Sequence, residues 1–141
     1  MPAKGFSPPD LTEIELASAE YKRLADSVTG RLDAFIKWFN ALPGKTGVFV
    51  RRDEIDRGRW GLLNLDRTKE GGWTLLFGIA DKGQGIKSLP IEQASLSDKC
   101  VAITMLPELL HELHAKQLSL VDRLKEASEV LAQLPAPKGG K

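Results

Sequence analysis

A chain of 141 residues, 42% hydrophobic and 28% charged, can fill one core, and its formal net charge of +1 excludes a whole-molecule field that would draw in a polyanion or an acidic membrane. The single cysteine, Cys100, excludes an intrachain disulfide, and no apolar run approaches the ~18 residues that spanning a bilayer requires. Residues 1–6 carry no apolar stretch of the secretory kind, so the expectation is a soluble protein of the reducing cytoplasm, and no motif asks for a cofactor.

Pro2, Pro8 and Pro9 near the start, and Pro135 to Lys141 at the end, predict disordered tails over residues 1–10 and 135–141 around one domain, 11–134. From Leu11 to Leu42 the apolar residues Ile14, Ala17, Tyr21, Leu24, Val28, Leu32, Phe35, Ile36 and Phe39 recur in steps of three and four, which predicts a long helix. Thr12 with Glu15 reads as a capping box, Leu11 with Leu16 as a hydrophobic staple, and Pro43-Gly44 as the stop. Gly30 marks either a bend or the close approach of another backbone.

Between Thr46 and Ile91 the period changes to two, predicting strands over 47–52, 59–66 and 73–80, with Glu70-Gly71-Gly72 as the turn between the second and third. Residues 86–91 add a short edge strand, giving an antiparallel meander. Steps of three and four then return at Leu96, Cys100, Ile103, Leu106, Leu110, Leu113, Gln117, Leu120, Leu124, Ala127, Leu131 and Leu134. Ser95 or Ser97 would cap this helical segment, and Pro107 either kinks one helix or begins a second. A strand over 100–104 is the alternative that its branched residues permit. The fold class is therefore α+β: a long N-terminal helix, a three- to four-stranded antiparallel meander and a long C-terminal helical segment.

A 30-residue helix is about 45 Å long, whereas a compact domain of this size is below ~40 Å across. The overhang predicts a homodimer, formed through residues 113–134 or through the first helix; the alternative is a monomer whose helices cover each other and one sheet face. Trp38, Leu113, Leu120, Leu124 and Leu131 are the candidate interface residues.

Four constellations bear on chemistry. Glu108, His111 and His114 share a helix face and could approach a metal, but a di-iron bundle needs matching carboxylates from other helices, and the histidines miss the zinc-protease spacing. Gly44-Lys45-Thr46 ends like a phosphate-binding loop, yet Phe39 stands where that motif needs glycine, and the order is helix then strand. Arg51, Arg52, Arg57 and Arg59 beside Trp60 could grip phosphates and stack a base; residues 41–87 hold nine Lys or Arg against six Asp or Glu, though Asp53, Glu54 and Asp56 sit among them. Cys100 reads as a small buried apolar residue rather than a nucleophile.

With no catalytic set in view, the leading expectation is a small non-enzymatic interaction or adaptor protein, dimeric through its helices, that binds another protein. A nucleic-acid-binding regulator using Arg51, Arg52, Arg57, Arg59 and Trp60 is the alternative. An enzyme or small-ligand binder with its site between sheet and helices is the third class.

Overall fold

The computed structural model describes residues 10–135, and by its internal contacts the chain divides into two units, one ending at Ala41 and one beginning at Leu42. The expected tails lie outside the described residues, apart from Asp10 and Pro135 at their inner ends.

The first unit is helix α1, Leu11–Asn40. Its cap is Asp10, one of the residues assigned to the tail: the carboxylate accepts from Thr12 N at 3.2 Å and the carbonyl accepts from Ile14 N at 3.1 Å. The expected Thr12 and Glu15 box is therefore displaced by one start two residues earlier, because Asp10 already meets a free N–H of the first turn. With the start at Leu11 that residue stands inside the helix rather than before its cap, the place a staple needs, and Leu11 and Leu16 are both exposed. Glu13 in the first turn and Lys37 in the last complement the helix dipole. Phe35 lies 5.6 Å, centroid to centroid, from each of Trp38 and Phe39. A Cβ on Gly30 would meet nothing within 4 Å, so no neighbouring backbone explains the glycine. Gly30→Ala is accordingly expected to stabilise the protein by about 0.5–1 kcal/mol, read as a rise in urea midpoint.

The second unit opens with β1 (Val48–Asp56), β2 (Arg59–Arg67), β3 (Trp73–Asp81) and the two-residue β4 (Leu89–Pro90), paired antiparallel in the order β1-β2-β3-β4. The meander is as the alternation predicts, with two differences. β1 runs on to Asp56 through an irregularity between Arg52 and Asp56, where its register with β2 shifts. β4 is shorter than residues 86–91, because Pro90 has no N–H for the ladder and Ile91–Gln93 turn into a 3-10 helix. The β2–β3 turn closes through Thr68 N to Gly72 O at 2.8 Å, with Gly71 at φ +88°.

Helix α2, Leu96–Gln133, is capped by Ser95, whose hydroxyl accepts from Asp98 N at 3.2 Å. Residues 100–104 are helix, not strand, and Pro107 sits inside one continuous helix. The proline lies on the exposed side. In the turn before it Thr104 Oγ1 donates to Val101 O at 2.6 Å and accepts from Arg52 at 3.0 Å, which ties this part of the helix to β1.

The core packs one sheet face on the first half of α2. Val48, Leu63, Leu65, Leu75 and Phe77 supply the sheet side, Ile91 the rim, and Ala102, Met105, Leu106, Leu109 and Leu113 the helix side. The helix side differs from the expected row: Cys100 is exposed, and Ile103 and Leu110 are only half-buried. A row at strict 3.5-residue spacing drifts about 20° per heptad round a straight helix, so its early members leave the side that the sheet covers. Trp73 is half-buried, with Arg67 5.3 Å over its ring.

The loop before β4 presses on β3 at Gly78. A Cβ there would stand 2.8 Å from Lys87 O and 2.9 Å from Ile86 Cγ2. Because the nearer atom is backbone, Gly78→Ala is expected to cost roughly 1–3 kcal/mol, seen as a lower denaturation midpoint, whereas substitutions at the exposed Gly85, which has nothing within 4 Å, are near neutral.

Candidate interaction surfaces

Strand alternation separates the arginines that stand together in sequence. Arg51 lies on the face opposite to α2; its guanidinium stacks 4.2 Å over the Trp60 ring, and its Nε donates to Asp53 Oδ1 at 2.6 Å. Trp60 Nε1 donates to Gln84 O at 3.3 Å, which fixes the indole against the turn after β3. With Asp53, Lys82, Gly83 and Gln84 these residues line an open depression of about 480 Å³. Arg52, one residue on, points the other way and reaches α2, donating to Thr104 Oγ1 at 3.0 Å and to Glu108 Oε1 at 3.5 Å. It is a strut between sheet and helix.

Arg59 is clamped by Asp56 across the β1–β2 turn, through Nε at 2.7 Å and Nη2. Arg57 is exposed in that turn, beside Gly58 at φ +69°. Lys82 stands 3.8 Å from Glu54. Of the five hairpin residues expected to act together, the structure joins only Arg51 and Trp60, and carboxylates answer Arg51, Arg52 and Arg59. Trp60 does not enter the core, because Gly61, Leu63 and Leu65 hold the inward positions of β2.

The second surface is the C-terminal half of α2. Among the described residues its last tethers to the rest of the unit are Lys116 Nζ to Gly47 O at 3.0 Å and Gln117 Nε2 to Gly44 O at 3.4 Å. Every residue from 118 to 135 is exposed, including Leu124 at 68% and Leu131 at 67%. Val121, Leu124, Lys125, Ser128 and Glu129 line a shallow depression of about 420 Å³ on this arm. Leu120 and Leu134 are also uncovered, while Leu113 is buried in the core and is not part of the free surface. Trp38 on α1 is 54% exposed.

Two features escaped the sequence reading. Phe49 is 66% exposed on the open sheet face, beside a depression lined by Leu62, Asn64 and Asp66, and the Asn64 Oδ1 is enclosed there without a hydrogen-bond partner. The alternation of β1 puts Phe49 on the same side as Arg51, a signal present in the sequence but masked by the apolar Val48-Phe49-Val50 run.

The other constellations are occupied differently from a site. Lys45 donates to Leu42 O, and Gly44 O accepts from Gln117, so the Gly-Lys-Thr segment is a tethered helix-to-strand turn. Glu108 faces Arg52, and His111 and His114 are exposed. Among the described residues no group of three His, Cys, Asp or Glu is placed to hold a metal, and no helix is long and apolar enough to cross a membrane. No family model matches the chain, and no curated protein or solved structure matches it either.

The Arg59 hydrogen bond holds the Asp56 carboxyl below the ordinary aspartate value. A carboxylate lowered in the folded state contributes stability above its unfolded pKa and loses it as pH falls through the folded one. An NMR titration is expected to place the Asp56 carboxyl below the ordinary aspartate value and to return it toward that value in Arg59→Ala.

Proposed function

We propose that this chain is a small non-enzymatic interaction protein that self-associates through the arm of α2 formed by residues 117–134 and presents its hairpin to another protein. The uncovered apolar arm carries this reading. Sixteen or so helical residues without packing are marginal in water, since most helical stability in proteins comes from an apolar face buried against something. Here the apolar side chains Leu120, Leu124, Leu131 and Leu134 repeat along one side and stay in solvent. Charged Asp122, Lys125, Glu126 and Glu129 occupy the other side, so the arm is amphipathic with its apolar side exposed among the described residues.

The nucleic-acid reading has less support. Phosphate binding needs cations free to neutralise phosphates, which then release their counterions, and Arg51, Arg52 and Arg59 are each already met by a carboxylate, while Arg57 is exposed in the turn.

Light scattering over a range of micromolar concentrations is expected to show a mass rising from 15.5 kDa toward twice that value. Leu124→Glu with Leu131→Glu is expected to hold the single-chain mass at every concentration, with the far-ultraviolet signal of the sheet and of the first half of α2 retained. A wild-type protein that stays at one chain mass throughout would remove self-association from the reading.

A further inference from the structure

We infer that two α2 arms pair antiparallel, each lying on the same arm of a second copy, with Leu120 against Leu131 of the partner subunit and Leu124 against Ala127 of the partner subunit. The inference rests on the self-association proposed above and adds its direction and register.

The first ground is the continuity of one helix face. At 3.6 residues per turn, Leu120, Leu124, Ala127 and Leu131 fall on the side of α2 that Ala102, Met105, Leu106, Leu109 and Leu113 present to the sheet. The helix thus carries one apolar side along its length, covered by the sheet over its first half and exposed, among the described residues, over its second. A partner helix laid on the uncovered half in the parallel sense would bring its own sheet, on its inward side, into the space that the first sheet already fills. Turned end for end, the partner's arm covers the stripe and its sheet falls beyond residue 134, clear of the first.

The second ground is the spacing. From Gln117 the steps to Leu120, Leu124, Ala127, Leu131 and Leu134 alternate three and four, the repeat of two helices that pack knobs into holes. In the antiparallel order the central layers set a large residue against a complementary one: Leu120 meets Leu131 of the partner subunit, and Leu124 meets the small Ala127 of the partner subunit. Parallel pairing would set Ala127 opposite its own copy and leave a gap in mid-seam, and tightly packed interiors do not tolerate such voids cheaply. The residues flanking the seam, Val121, Arg123, Ser128 and Val130, include one charge, so no like-charge repulsion opposes the approach, while Asp122, Lys125, Glu126 and Glu129 stay in water.

Eighteen residues make a seam about 27 Å long, at the small end for a specific interface, which fits a dimer that dissociates on dilution. Pairing in this sense holds two sheet units at opposite ends of the paired arms and makes the assembly bivalent toward whatever the Arg51 and Trp60 surface engages.

The test uses the full chain with Cys100→Ser. Leu120→Cys and Leu131→Cys are made singly, oxidised alone and then as an equimolar mixture. Disulfide-linked dimer is expected from the mixture and not from either single variant. Linkage of Leu131→Cys to itself would overturn the antiparallel order, and a dimer by light scattering with no linkage in any combination would overturn the register. A wild type that never exceeds one chain mass defeats the self-association reading itself, a separate failure. Should the cysteines weaken the dimer, a spin label on Leu134→Cys decides the direction: positions some 17 residues out of step are about 25 Å apart along an antiparallel pair, and side by side in a parallel one.

Discussion

The second unit depends on the burial of one sheet face against the first half of α2. Leu63, Leu65, Leu75 and Phe77 on the two central strands meet Met105, Leu109 and Leu113, all of them nearly without solvent contact. Each such side chain contributes about 1.5–3 kcal/mol when withdrawn from water, so no surface ion pair in the molecule competes with this layer in deciding its arrangement. Once the layer is set, the direction of every strand side chain follows from the period of two, and the side of α2 that is covered follows from the period of 3.6.

That constraint explains why neighbouring arginines have unlike roles. Arg51 faces away from the layer and finds Trp60, two residues along β2 from its cross-strand partner Leu62, while Arg52 faces the layer's edge and finds Thr104 and Glu108. A basic run in sequence becomes two separated cations, each committed to a local partner. The same constraint places Pro107 safely, because the covered side of α2 passes through residues 106 and 109 and leaves residue 107 facing solvent.

It also defines what is left over. The sheet is shorter than the helix that covers it, so α2 outruns its partner surface after Gln117, and the apolar residues beyond that point are exposed among the described residues. Beyond Gln117 the helix therefore presents apolar side chains to solvent among charged ones.

Most of the architecture was legible because it rests on local periodicity. The change from steps of three and four to steps of two and back placed α1, the three long strands and α2 in order, and Glu70-Gly71-Gly72 announced its turn because a positive φ calls for glycine. Boundaries set by single hydrogen bonds were less legible: Asp10 and Thr12 are both good caps, and only the folded chain shows which one is used. The site was harder still. Charge, type and spacing marked Arg51, Arg52, Arg57, Arg59 and Trp60 as a group, but which of two faces a strand residue occupies, and which side of a leucine-rich helix a sheet will cover, depend on partners more than 40 residues away. Sequence alone determined the elements and their order, since each is encoded within a few turns of chain. Only the tertiary structure decided the division of the arginines, the exposure of Cys100 and the uncovered arm, because burial belongs to pairs of surfaces and not to either one.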